Sequence, residues 1–248
     1  MIVGALSDIG LVREYNEDAM FASLDPNLPL YIVADGMGGH KAGDIASSMA
    51  VEIIEEDFKG NSEGIKNPNG IKKSIKNAIE RANAIVYKRS VVESNCDGMG
   101  TTVVLAYYLD SKFYLGHVGD SRAYIISNNN IRQITEDHTL VNELLKKGNI
   151  TESEAENHPQ RNIITQALGS SIGIKIDILE VDFQNDDILL LCSDGLYNMI
   201  NDAKILEILK ESGSLEKGVR SLVDLANENG GKDNITVIAI KLDNEVLV

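Results

Sequence analysis

Four aspartates stand where an apolar, strand-like run meets a glycine-containing turn: Asp35 in Val33-Ala34-Asp35-Gly36, Asp120 in Val118-Gly119-Asp120-Ser121, Asp194 in Cys192-Ser193-Asp194-Gly195 and Asp233 in Gly231-Lys232-Asp233-Asn234. Strand ends can converge on one rim of a sheet. Carboxylates about 4 Å apart repel by roughly 4 kcal/mol per pair at an effective dielectric of ~20, so a converged set must be protonated or bridged by cations. An all-oxygen donor set without paired Cys or His suits Mg2+ or Mn2+ better than zinc. For Asp35 a second reading stands beside the first, because Asp-Gly after a strand is also a strong hairpin-turn signal. The stretch is expected to be both turn and site, with Asp35 as the central ligand.

Arg13, in the run Arg13-Glu14-Tyr15-Asn16-Glu17-Asp18, is the candidate substrate clamp. A guanidinium can hold a phosphate through two parallel hydrogen bonds. A surface ion pair with Glu17 or Asp18 is the plainer alternative for the same residue. Glu17 and Asp18 are also placed to hold metal-bound waters.

The elements that must position these groups are short. Strand signals appear at Ile2 to Ser7, Ala19 to Leu24 and Tyr31 to Ala34, and predict an opening β meander. Helical periodicity follows, with Ile45, Met49, Ile53 and Ile54 on one face, then Ile71, Ile75, Ala78, Ile79, Ala82, Ile85 and Val86 on a second stripe. Strands are expected at Thr101 to Leu109, Phe113 to Val118, Ala123 to Ile126 and Ile131 to Ile134, joined by turns at Asp110-Ser111 and Asn128-Asn129-Asn130. Four strands in a row predict antiparallel pairing. A polar helical insert covers Leu140 to Lys147 and a second piece from Thr151, whose Thr151-Glu152-Ser153-Glu154 fits a capping box. A strand at Ile188 to Cys192, helices at Ala203 to Glu211 and Leu215 to Asn227, and a strand at Ile235 to Leu242 complete the chain.

Apolar residues are 43% and charged residues 25% of 248, an ordinary globular composition. A formal charge of −15 and a pI near 4.7 argue against nucleic-acid binding through a broad basic face. Cys96 and Cys192 lack the spacing of a disulfide framework or a zinc site. Neither a secretory leader nor an apolar run of roughly 20 residues is visible, which predicts a cytoplasmic protein without a membrane span.

Arg13 through Asp18, Ala34-Asp35-Gly36-Met37-Gly38-Gly39-His40, Gly98-Met99-Gly100-Thr101-Thr102, Gly116 through Ala123, Ser193-Asp194-Gly195-Leu196 and Gly231-Lys232-Asp233-Asn234 occur in that order. Together they resemble the metal-dependent serine/threonine protein phosphatases of the type 2C (PPM) family, in the compact bacterial form. The resemblance implies an α+β fold, a four-layer α-β-β-α sandwich of two antiparallel sheets flanked by helices. It further implies one domain over 1–248, with a small helical flap at about 138–165. Carried over by motif, Asp35 would bridge two Mn2+ or Mg2+ ions, with the Gly36 carbonyl on one and Asp194 and Asp233 on the other. Asp120 with Asp194 would hold a third ion, and Glu17, Asp18 and Asn234 would stand behind the ligands.

The implied reaction is hydrolysis of phosphoserine and phosphothreonine on proteins by direct attack of a metal-bridging water, without a covalent phospho-enzyme. The implied partners are phosphoprotein substrates, among them a cognate serine/threonine kinase, met by a monomer. One position departs from the animal branch of the family, where His follows Asp-Gly and protonates the leaving alkoxide. Here that position is Met37, and His40 is the nearby candidate for substrate contact. A metal-dependent phosphodiesterase would share the ions but wants a basic track for its polymer, and a non-catalytic phosphoprotein binder would not need every motif aspartate.

Overall fold

Strands buried on both faces read as near-continuous apolar runs, and the middle of this chain is built from such runs. The computed structural model describes residues 1–38, 42–60, 65, 67–156 and 158–243. The strands are β1 (Ile2–Asp8), β2 (Asp18–Ala22), β3 (Leu30–Met37), β4 (Gly100–Thr101), β5 (Val103–Leu109), β6 (Lys112–Val118), β7 (Arg122–Ser127), β8 (Asn130–Gln133), β9 (Asp177–Asp182), β10 (Ile188–Cys192) and β11 (Ile235–Lys241). The helices are α1 (Ala42–Gly60), α2 (Pro68–Val92), α3 (Leu140–Lys146), α4 (Glu152–Glu156), α5 (Asp194–Tyr197), α6 (Asp202–Glu211) and α7 (Leu215–Glu228).

Two antiparallel sheets result, one ordered β1-β11-β10-β7-β8 and the other β2-β3-β5-β6-β9, with β4 beside β3. Tyr31, Val33, Val104, Phe113 and Leu115 of one sheet meet Ile125, Leu189, Leu191, Ile238 and Ile240 of the other in the central core. The opposite face of the β3 sheet, with Ile32, Val103 and Leu105, packs on Ile54, Ile71, Ile75 and Ile79 of α1 and α2. The outer face of the β11 sheet packs on Ile205 and Leu209 of α6 and on Val219 and Leu222 of α7. These are the four layers and the α+β class that the motifs imply.

Local chemistry sets the element ends. Asn67 accepts from Gly70 N–H and Pro68 opens α2, while Asn201 and Ser214 cap α6 and α7 in the same way. The two-residue turns Asp110-Ser111 and Asn128-Asn129 all have positive φ, as a tight hairpin between twisted strands requires. In the insert, Thr151 and Glu154 exchange the hydrogen bonds of a capping box, Thr151 N–H to Glu154 Oε2 at 2.8 Å and Glu154 N–H to Thr151 Oγ1 at 3.4 Å.

Three expectations are corrected. The opening meander is split, because β1 pairs with β11 in one sheet while β2 and β3 lie in the other. The Asp35-Gly36 pair is not a hairpin turn. β3 runs through it, with Asp35 opposite Asp18 and Gly36 opposite Thr101. Glycine is required at 36 by close approach rather than by a turn, since a Cβ there would run into the carbonyl oxygens of Gly43 and Glu17. The strand predicted from Thr101 to Leu109 breaks at Thr102, whose backbone and side chain turn to Asp35 instead. Strand β9 was not anticipated at all, because its Asp177, Glu180 and Asp182 dilute the apolar signal.

Ile79 is fully buried between α2 and the β3 sheet, so Ile79→Ala is expected to destabilise the protein by about 2–5 kcal/mol, read from urea denaturation midpoints.

Candidate metal centre

The ends of both sheets meet around a cavity of about 250 Å3 whose lining includes Arg13, Glu17, Asp35, Asp120, Asp194 and Asp233, with Gly36 and Met37. Each carboxylate arrives by a different route. Asp35 sits near the end of β3, where Thr102 N–H and Thr101 Oγ1 both donate to its carbonyl and its own N–H donates to Thr102 Oγ1, each at 2.9 Å. Asp120 lies in the turn between β6 and β7. Asp194 opens the one-turn helix α5 directly after β10, and Asp233 precedes β11.

Hydroxyls and amides beneath the carboxylates link these routes. Thr102 Oγ1 and Ser121 Oγ are 2.7 Å apart, joining the backbone of Asp35 to the turn that carries Asp120. Ser193 Oγ donates to Asp18 Oδ2 at 2.7 Å and accepts from Thr236 N–H at 2.9 Å. Asn234 accepts from Glu17 N–H at 2.8 Å and donates to the carbonyls of Ile9 and Tyr15, so it shapes the loop that bears Arg13. Asn234 therefore acts here through the backbone of that loop. Arg122 pairs with both oxygens of Asp137 and lies 3.5 Å over the Tyr197 ring, and Tyr197 donates to the Asp120 carbonyl at 3.0 Å. That arginine is committed to holding the turn.

Burial and crowding shift the acids upward, and Arg13 offsets only part of it. Burial, then the charges of Asp18, Asp194, Asp120 and Asp233, hold the Asp35 carboxyl well above the usual range. Burial and the neighbouring acids push Asp194 to about 8 and Asp120 to about 7. Asp18 rises to about 6, chiefly through burial, against hydrogen bonds from Thr236 and Ser193 that favour its charged form. Arg13 reaches in and pairs with Asp233 at 2.6 Å, rather than with Glu17 or Asp18.

Glu17 Oε1, Asp18 Oδ1, Asp120 Oδ1 and Asp194 Oδ1 are buried and find no hydrogen-bond partner. Glu17, Asp120 and Asp194 line one cavity, and unpaired carboxylate oxygens there are the donor set of a hard divalent cation, so the residues present fit Mg2+ or Mn2+. Among the described residues, the set of three ligand-type side chains whose donor atoms lie within 4.8 Å of one another is a different one, His117, His138 and Asp177. His40 lies outside the described residues.

Beside the cavity a larger groove of about 730 Å3 shares Asp120, Asp194 and Asn162 with it and runs along Val141, Leu145 and Ala155 of the helical insert. Thr139 caps α3, and Leu140 N–H donates to the Ile163 carbonyl, so the insert leaves and returns at one place. The sequence motifs contain Thr101, Thr102, Ser121 and Ser193, yet nothing in their spacing says which backbone each hydroxyl will hold.

A carboxyl whose folded pKa lies above its unfolded value binds more protons folded than unfolded between the two values, so stability falls as pH rises through that window. For the metal-free protein the window runs from the ordinary aspartate value of 3.8 to about 8, the value of Asp194. Its melting temperature is therefore expected to fall by several degrees between pH 5.5 and 8, and saturating Mn2+ is expected to remove most of that fall.

The model of a family described as protein phosphatase 2C matches residues 12–230. The serine/threonine phosphatase stp of Listeria monocytogenes serotype 4b (strain F2365) is 42% identical over 239 residues, 96% of this chain and 94% of that protein. Protein phosphatase PhpP of Streptococcus pneumoniae serotype 2 (strain D39 / NCTC 7466) is 38% identical over 246 residues, 99% of each. Among solved structures, the S. agalactiae serine/threonine phosphatase superposes with a TM-score of 0.92 at 37% identity, over 97% of this chain and 99% of that one. The catalytic domain of the serine/threonine protein phosphatase PstP, in complex with 2 manganese ions, superposes with a TM-score of 0.84 at 32% identity, over 97% and 98%.

Proposed function

The chain belongs to the protein phosphatase 2C family and is a metal-dependent protein serine/threonine phosphatase, and on that premise we propose how its own residues divide the work. The observation that carries the reading is that Glu17, Asp120 and Asp194, each with a buried, unpartnered carboxylate oxygen, line one cavity with Asp35 and Asp233. Asp35, the Gly36 carbonyl, Asp194 and Asp233, which line that cavity, would hold two ions. The two manganese ions of the PstP complex support that count. Asp120 with Asp194 would hold a third ion, and Glu17 and Asp18 would hold the waters around the pair. Bound there, Mn2+ or Mg2+ supplies a water nucleophile at neutral pH and neutralises charge on the phosphoryl oxygens.

Arg13 is the phosphoryl clamp. Its pair with Asp233 is partly exposed on both sides, a kind of contact worth only about 0–1 kcal/mol, so the guanidinium exchanges Asp233 for phosphoryl oxygens at little cost. Met37 lines the cavity with a thioether that has no proton to give, which places the leaving-group proton on another donor. The groove of about 730 Å3 along the insert would receive the polypeptide that carries the phosphoresidue, with 138–165 as its flap on one catalytic domain. No helix among the described residues is long and apolar enough to cross a membrane. The family resemblance carries the reading of a cytoplasmic monomer that acts on phosphoproteins. A serine/threonine kinase of the same cell, dephosphorylated on its activation loop, is the partner proposed from the family resemblance.

With a phosphothreonine peptide and Mn2+, Asp35→Asn is expected to lower kcat/KM by at least about 10³-fold, the scale of losing a central electrostatic group, and chelation to abolish turnover of wild type. Full activity after either change would falsify the assignment. Arg13→Ala is expected to raise KM about tenfold with a smaller fall in kcat, and Arg13→Lys to recover only part of it, because the fork geometry is lost.

A further inference from the structure

The turn that presents Asp120 is fastened to His138 in both directions. His138 N–H donates to the Gly119 carbonyl at 2.8 Å, and Gly119 N–H donates to His138 Nδ1 at 3.1 Å. A backbone amide can only donate, so Nδ1 must offer a lone pair. The single proton of the neutral imidazole then sits on Nε2, 3.0 Å from Asp177 Oδ2 on β9. Asp177 is in turn held by Lys175, 2.9 Å from its other oxygen.

His117, His138 and Asp177 have the donor types of a zinc site, and their atoms lie within 4.8 Å of one another. Proton counting excludes an ion on this wiring. With Nδ1 accepting from Gly119, a metal on Nε2 would leave an imidazolate without any proton, and releasing Gly119 would strand a buried amide. The position between His138 and Asp177 belongs to a proton. His117 lies beside it, fully buried with neither ring nitrogen hydrogen-bonded, its ring centroid 4.8 Å from that of His138. Burial, with His138 as a second cause, pushes its pKa down to about 3, so it stays neutral beside the His138 ring.

Gly119 has little freedom otherwise. Its φ of +110° is a conformation that side chains rarely adopt, and a Cβ there would stand 2.6 Å from the Thr102 side chain, which also receives the Asp35 amide. The same histidine reaches the flap. Its carbonyl accepts from Thr165 N–H at 2.7 Å, and Thr139, the next residue, caps α3 and bridges to Ile164.

We propose that His138 is a positioning residue for Asp120. Its Nδ1 lone pair holds the Gly119 amide, and thereby the Asp120 carboxylate, at the rim of the metal centre. Its Nε2–H bond to Asp177 locks the tautomer that makes this possible, and its backbone fixes the returning end of the flap at Thr165 to the same turn. The consequence for catalysis rests on the reading of Asp120 as an ion ligand.

Two variants separate the halves of the imidazole. In His138→Asn the carboxamide oxygen stands where Nδ1 stood but cannot reach Asp177; in His138→Gln the amide reaches Asp177 and leaves Gly119 N–H without an acceptor. In metal-free protein, imidazole nitrogen shifts of wild type are expected to report the Nε2–H tautomer. Hydrogen exchange at the Gly119 amide is expected to stay slow in wild type and His138→Asn and to quicken at least about tenfold in His138→Gln. The Mn2+ concentration for half-maximal hydrolysis of p-nitrophenyl phosphate should rise about tenfold in His138→Gln and stay within about twofold in His138→Asn. An Nδ1–H tautomer, unchanged Gly119 exchange in His138→Gln, or equal losses in both variants would overturn the proposal. Should His138→Gln fail to fold, Asp177→Ala unlocks the tautomer without touching the imidazole, and faster Gly119 exchange is expected there too. Asp120→Ala, measured alongside, reports on the ligand reading: an unchanged Mn2+ requirement in it sinks that reading, while exchange and tautomer still decide the role of His138.

Discussion

Like charges held in one small volume are the constraint around which the rest of this molecule is arranged. Asp35, Asp120, Asp194 and Asp233 line a single cavity with Asp18 behind them, and burial and mutual repulsion raise the pKa values of Asp35, Asp194 and Asp120, so their charge is unfavourable without a cation. A chain left to itself would move such groups apart. Each is prevented from moving by its backbone, which is tied into a sheet end, a turn or a helix start whose stability comes from elsewhere. The apolar cores between the sheets and under the helices hold the site against its own repulsion, a division of labour between stability and function that binding sites commonly show.

The two sheets contribute unequally and jointly. One brings Asp35 on β3, braced by its neighbour Asp18 on β2 and by Thr101 and Thr102. The other brings Asp194 after β10 and Asp233 before β11, adjacent strands of that sheet. Asp120 lies in the turn by which the chain crosses from one sheet to the other, between β6 and β7. A cavity where the ends of both sheets meet can thus be altered by sliding either sheet, and hydrogen bonds such as Thr102 to Ser121 and Ser193 to Asp18 oppose that sliding.

Much of this architecture is legible in the sequence. Strand and helix runs with strong periodicity, such as α2 and β10, fall close to where their apolar pattern put them, because burial on a known face writes a period into the sequence. The errors have physical causes as well. Asp-Gly reads as a turn because glycine tolerates positive φ, yet at Gly36 the glycine is demanded by the carbonyls of Gly43 and Glu17, a contact that no local pattern records. β1 followed by β2 and β3 reads as a meander, but β1 finds β11, more than 200 residues away in sequence, since pairing is decided by which apolar faces must be covered. β9 escaped notice because an edge strand can afford charged residues that a central strand cannot.

By itself the sequence determined the cast and the chemistry: acidic side chains of the kind that bind hard cations, an arginine suited to phosphate, and motifs in an order that identifies the family. Residue type and local period suffice for that, because ligand preference is a property of the side chain and periodicity a property of the adjacent backbone. Only the tertiary structure decided that Arg13 pairs with Asp233, that Arg122 is spent on Asp137 and Tyr197, and that His138 is locked between Gly119 and Asp177. Those contacts join residues brought together by two sheets closing on one another, and the direction of each hydrogen bond depends on which group has only a proton to give and which only a lone pair.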